Sequence, residues 1–127
     1  MAVIDTAHGH AQIFEAGDAL KVLKMVTEAQ EVVTFNGKLF DMPVLSKACR
    51  LEKTIEVGGS HTDLWEKTLY SEFGSMNQSQ AFEKFLREKI NDVKMPEEQV
   101  ISDVTLCFKL WSYYVGNGRS FDSSSKV

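Results

Sequence analysis

Val32-Val33-Thr34-Phe35-Asn36-Gly37-Lys38-Leu39-Phe40-Asp41-Met42-Pro43-Val44-Leu45 is the stretch on which the fold turns. Four β-favouring residues in a row, Val32 to Phe35, fit a strand covered on both faces. Asn36-Gly37 breaks the run, because both residues tolerate positive φ. A helix follows from about 40 to 50, with Val44, Leu45 and Ala48 on one side. Asp41 therefore falls at the carboxyl end of a strand, near a helix start, which is where open α/β sheets place their ligands.

The flanking chain reads as short strands and amphipathic helices. Residues 2–7 and 11–15 read as two short strands, antiparallel across a turn at His8-Gly9-His10. Asp18 reads as the N-cap of a helix over 19–30, with Leu20, Leu23 and Val26 at helical spacing. Thr54 to Val57 reads as a short strand closed by Gly58-Gly59-Ser60. His61 to Trp65 opens a helical stretch to about Phe73, Gly74 to Ser79 is loop-like, and residues 81–90 read as a helix. Pro96-Glu97-Glu98 starts the last helix, since proline fits a first turn and acids there favour the dipole. Its apolar stripe reads Ile101, Val104, Phe108, Trp111 and Val115, and Gly116-Asn117-Gly118 ends it. Strands early, helices late and a strand between two helices indicate an α/β fold.

Length and composition fit one soluble domain. A chain of 127 residues, 43% hydrophobic and 25% charged, can bury a core. The domain is expected over residues 1–121, with a Ser-rich, frayed tail at 122–127. No run approaches the roughly 20 apolar residues of a membrane span, so no membrane is expected. No secretory signal is visible, and the expected location is cytoplasmic. A net charge of −4 argues against broad duplex binding, which needs a basic surface. Cys49 and Cys107 sit among apolar neighbours and read as buried, reduced thiols; no zinc spacing exists.

The segment from Asn36 to Asp41 also resembles the second motif of the DEDD 3′–5′ exonuclease family, an Asn, a short spacer and Phe-Asp. The resemblance implies a ribonuclease-H-like fold, a short mixed sheet flanked by helices, with the N-terminal meander shortened. It implies four metal-binding carboxylates: an Asp-x-Glu on the first strand, the Asp of this motif, and an Asp on a late helix. Asp5 supplies the first Asp, while Ala7 stands where the Glu belongs; period-two alternation puts both on one side of the strand. Asp103, followed by Val104, matches the Asp of the third motif, and Gln99 stands in place of its Tyr. Residues four apart share a helical face, so Gln99 reaches the same space as Asp103. His61-Thr62-Asp63-Leu64 is similar to the family's strand-to-helix segment, whose Asp is a supporting residue; as plain sequence, Asp63 reads equally as an N-cap. Leu110-Trp111 with Gly116-Asn117-Gly118 resembles the ending of some helicase- and polymerase-associated members.

The resemblance implies catalytic residues Asp5, Asp41, Asp103 and Gln99, with Asn36 and Phe40 contacting substrate. It implies Mg²⁺ or Mn²⁺ on Asp5, Asp41 and Asp103, because hard cations take oxygen ligands. Two-metal phosphodiester cleavage needs ions about 3.5–4 Å apart, and the resemblance implies that the residue bridging both is the Glu missing at Ala7. Glu15, His8 and His10 are further candidates for that missing ligand. Two readings follow. One is an exonuclease acting on the 3′ end of single-stranded nucleic acid. The other is a lapsed exonuclease domain kept as a protein-interaction or oligomeric module, in which an exposed sheet edge pairs with a second copy.

Overall fold

The computed structural model describes residues 2–4, 6, 11–87 and 96–122. β1 (Ala2–Ile4) and β2 (Ala11–Ile13) pair antiparallel, with Val3 opposite Gln12. A 3₁₀ turn at Ala16–Asp18 leads into α1 (Ala19–Glu28). β3 (Glu31–Thr34), α2 (Asp41–Ala48) and β4 (Ser60–Asp63) form a crossover unit, and β3 and β4 pair parallel with Thr34 opposite Asp63. Parallel strands cannot be joined by a tight hairpin, so α2 and the segment after it carry the chain back. β4 runs directly into α3 (Leu64–Leu69), followed by α4 (Gln78–Leu86) and α5 (Pro96–Gly116). The expected sheet thus takes the form of two two-stranded ladders among the described residues.

The β3–β4 ladder has a core on each face, because successive side chains point to opposite sides. Val33, with Phe35 beyond the strand end, packs on Leu64, Phe82, Leu110, Tyr114 and Phe121. Val32 packs on Ala19, Val22 and Val26 of α1 and Met42 and Leu45 of α2. The strand is covered on both faces, as its unbroken β-branched run predicts. α5 lies against both β1 and β2 as well as β3, α3 and α4.

Several local expectations are corrected by packing. α1 buries Ala19, Val22 and Val26 and leaves Leu20 68% exposed. Both stripes satisfy helical spacing, and the smaller residues let α1 approach α2. Val44 and Ala48 are likewise exposed, while Leu45 is buried. α5 buries Leu110 and Tyr114, whereas Ile101, Phe108 and Val115 are each about two-fifths exposed. That helix is apolar on several sides, so periodicity alone does not choose its inner face. Thr54 to Val57 is not a strand: the Ile55 N–H donates to Ser46 Oγ at 2.8 Å, and Ile55 and Val57 pack on the α1–α2 core.

Helix ends follow their chemistry. α4 starts at Gln78, earlier than its apolar stripe indicates, because Asn77 and Gln80 form a reciprocal capping box. α3 stops at Leu69, short of Phe73. Asp18 is the N-cap residue of α1, but its carboxylate accepts the Glu15 N–H at 3.3 Å instead of capping the helix. After α5, Phe121 is 1% exposed and stacks on Phe85 at 4.8 Å. The Glu72 N–H donates to the Asp122 carboxylate at 2.7 Å; residues 123–127 lie outside the described residues.

Candidate active site

The carboxyl ends of β3 and β4 lie side by side, and the loop leaving β3 must turn sharply to start α2. Asn36 makes the turn at φ 64°, a left-handed conformation that asparagine tolerates. Its carbonyl accepts the Phe40 N–H at 3.2 Å, and that of Gly37 accepts the Met42 N–H at 2.8 Å. Gly37 is needed for space: a Cβ there would stand 2.4 Å from the Thr34 side chain. Thr34 Oγ1 in turn accepts the Gly37 N–H at 3.2 Å and lies 2.9 Å from His61 Nε2. Burial pushes His61 below its ordinary value, so the neutral ring is favoured.

Asp63 holds this loop in place. It is 1% exposed at the end of β4. Its Oδ1 accepts the N–H groups of Asn36 at 2.6 Å and Trp65 at 3.1 Å, and its Oδ2 accepts the Lys38 N–H at 3.3 Å. One carboxylate therefore caps α3 and clamps the entry to α2. These N–H donors are what make burying its charge tolerable. The N-cap reading and the supporting reading of Asp63 describe the same side chain. Lys38 and Glu66 pair at 3.0 Å on the exposed rim.

Asp41 occupies the first turn of α2. Its carboxyl is raised above the ordinary 3.8 by burial first, then by the charges of Asp63 and Asp103. Asp103 reaches this space from α5, where it continues the inner face one turn before Cys107 and two before Leu110. The Asp103 carbonyl accepts from Gln78 Nε2 at 2.6 Å, which ties α5 to the start of α4. Burial pushes the Cys107 thiol up to about 12, and the charges of Asp41 and Asp63 add to that rise. Cys107 thus stands beside the acidic cluster, an adjacency that its apolar sequence neighbours do not signal.

The predicted residues fall as follows. Asp103 and Asp63 each come within electrostatic reach of Asp41. Phe40 is the residue before α2 and is 63% exposed. Asn36 lies in the loop, and its Oδ1 is buried with no hydrogen-bond partner, as is Trp111 Nε1 on α5. Asp5, Ala7, His8 and His10 lie outside the described residues, and Gln99 falls in the first turns of α5 with its side chain outside them. Among the described residues no group of three His, Cys, Asp or Glu side chains is arranged to hold a metal ion. The donor type nevertheless fits a hard cation, and crowding that raises Asp41 is what such a cation would relieve.

One polar cluster was not legible beforehand. Arg119 Nη2 pairs with Glu31 at 2.8 Å and lies 3.3 Å from Thr62 Oγ1, tying the chain after α5 to the start of β3. Nothing in the spacing of residues so far apart announces it.

The family model described as RNase_H superfamily (RNase_H_2) matches residues 6–118. No curated protein and no solved structure matches the chain. The crossover unit with helices on both faces of its ladder, the acidic cluster at its carboxyl end and this match agree: the chain belongs to the RNase H superfamily and is a nuclease-like domain.

Proposed function

We propose that the domain is a DEDD-type, metal-dependent 3′–5′ exonuclease unit acting on the 3′ end of single-stranded nucleic acid. The observation that carries this reading is the charge convergence of Asp41, Asp63 and Asp103 at the end of the parallel strands. The charges of Asp63 and Asp103 disfavour ionisation of Asp41, and a bound cation would relieve that. Asp5, Asp41 and Asp103 are the residues that would hold Mg²⁺ or Mn²⁺. When bound, such an ion supplies charge neutralisation at the phosphodiester and activation of water.

The chain's own residues do the positioning. Asp63 orders the loop through the Asn36 and Lys38 N–H groups and so sets where Asp41 sits. Phe40, exposed beside it, offers an aromatic face to a terminal base. Gln99, in place of the family's Tyr, can orient water by hydrogen bonding and cannot act as its acid or base.

A second reading has one specific observation in its favour. Ala7 and Gln99 replace the two family residues whose identity chemistry dictates, which suits a lapsed domain serving as an interaction or oligomeric module. Among the described residues β2 and β4 each keep one unpaired edge, the feature a second copy would use.

Calorimetric titration of Mn²⁺ into the wild type and into Asp41→Ala separates the two. Saturable binding that Asp41→Ala abolishes supports the nuclease reading, and loss of nucleotides from a 3′-labelled single strand completes it. No binding at millimolar Mn²⁺ sinks it in favour of the module.

A further inference from the structure

The end of α3, the end of α5 and the turns after them line a half-open cavity of about 150 Å³ that shares no residue with the acidic cluster. Two cationic side chains line it, Lys67 and Arg119, with Ser120 and Tyr70. Tyr70 stands at its rim, 83% exposed. Ligand pockets that swallow a whole small molecule run to roughly 300–1,000 Å³. This one is sized for a compact group such as a phosphate, with the rest of the ligand left outside.

The cavity wall is an ordered turn. Gly118 and Arg119 both take left-handed backbone, at φ 71° and 58°. For arginine that conformation costs free energy and persists only where surrounding contacts hold it. Asn117 Nδ2 supplies them by donating to the Ser120 and Asp122 carbonyls, each at 2.9 Å. The turn aims Arg119 across the Tyr114 ring, 5.5 Å from its centroid. Glu31 and Thr62 engage Nη2 alone. A guanidinium has five donors in a fork, so Nε and Nη1 remain. Ser120 Oγ accepts the Asp122 N–H at 3.0 Å, which leaves its own proton to donate. Asp122 is the single carboxylate in the lining, and its Oδ1 accepts the Glu72 N–H. Glu31 offsets much of the Arg119 charge, so Lys67 supplies most of the pull on an anion.

We propose that this cavity binds the phosphate of a nucleotide, held by Lys67, Arg119 and the Ser120 hydroxyl, with the base stacked on Tyr70. The phosphate could belong to a free nucleotide or to a strand; the chemistry is the same. The site stands apart from the proposed nuclease reaction and does not depend on it.

The test is a ¹⁵N chemical-shift titration of the full chain with thymidine 5′-monophosphate, in EDTA so that no metal site contributes. The expected result is saturable shifts at residues 67–71 and 118–122. Stacking on an aromatic ring contributes enough that Tyr70→Ala should weaken binding roughly tenfold, and Lys67→Gln should do so comparably. Both side chains can be changed without opening the core, and the spectra themselves report whether each variant is folded. A short 5′-phosphorylated single strand that binds more tightly than the mononucleotide assigns the site to a strand, and equal affinity assigns it to the free nucleotide. Absence of saturable shifts, an affinity unchanged in both variants, or inorganic phosphate binding as tightly as the nucleotide would overturn the proposal.

Discussion

Asp63 accepts the backbone N–H of Asn36 at 2.6 Å, joining the end of β4 to the loop that leaves β3. The two residues lie far apart in the chain but are neighbours because β3 and β4 pair in parallel, with Thr34 opposite Asp63. The same carboxylate takes the N–H groups of Lys38 and Trp65. Replacing it leaves three backbone donors to find other partners. Asp63→Ala should therefore cost about 3 kcal/mol of stability, from the lost cap and the stranded donors. Urea unfolding of the variant measures it.

Gly37 faces the Thr34 side chain so closely that a Cβ would overlap it at 2.4 Å. Thr34 cannot retreat without giving up its contacts to the Gly37 N–H and His61. Gly37→Ala should lose about 2 kcal/mol, the cost of overpacking a filled site. Chemical denaturation midpoints decide this, and a change within error would show that the turn relaxes freely.

The raised carboxyl of Asp41 predicts a pH-dependent gain on neutralising it. A carboxyl raised above its ordinary 3.8 binds a proton more readily in the folded chain than in the unfolded one. Its ionisation therefore penalises folding as pH rises through the raised value, and the penalty vanishes below 3.8. Asp41→Asn should melt higher than the wild type at pH 7, with the difference shrinking toward about pH 4. Thermal melts across that range, without divalent ions, provide the readout.

His61 has the opposite dependence. Burial lowers it below 6.5, so the unfolded chain takes up the proton first and stability falls as pH drops below 6.5. His61→Asn should flatten the stability curve between pH 7.5 and the lowered value. Urea midpoints of both proteins at several pH values in that window test the slope.

Cys107 should be nearly inert to thiol reagents while the chain is folded. With its thiol pushed from 9.0 to about 12, it carries about a thousandfold less thiolate at pH 8 than an unperturbed cysteine. In a Cys49→Ser background, modification should be at least about a hundredfold slower than in denaturant. Stopped-flow absorbance with a disulfide reagent follows both rates.

The Val32–Phe35 run, the Asn36-Gly37 break and the Pro96 start were legible as strand, turn and helix because each is a matter of local backbone preference. The same holds for Asp41 at a helix start, since turn and helix signals extend over only a few residues. The inner face of α5 was not legible. Ile101, Phe108 and Val115 satisfy the helical period as well as Leu110 and Tyr114 do, and the contacts with the ladders and with Phe121 chose between them. The reach of Asp103 to Asp41 and the clamp of Asp63 on Asn36 belong to the same class. So does the Arg119–Glu31 pair. Pattern along a chain encodes which segments bury a side and where they bend; the rotation of a helix that is apolar on several sides, and the meeting of charges from distant elements, are set by how the pieces pack.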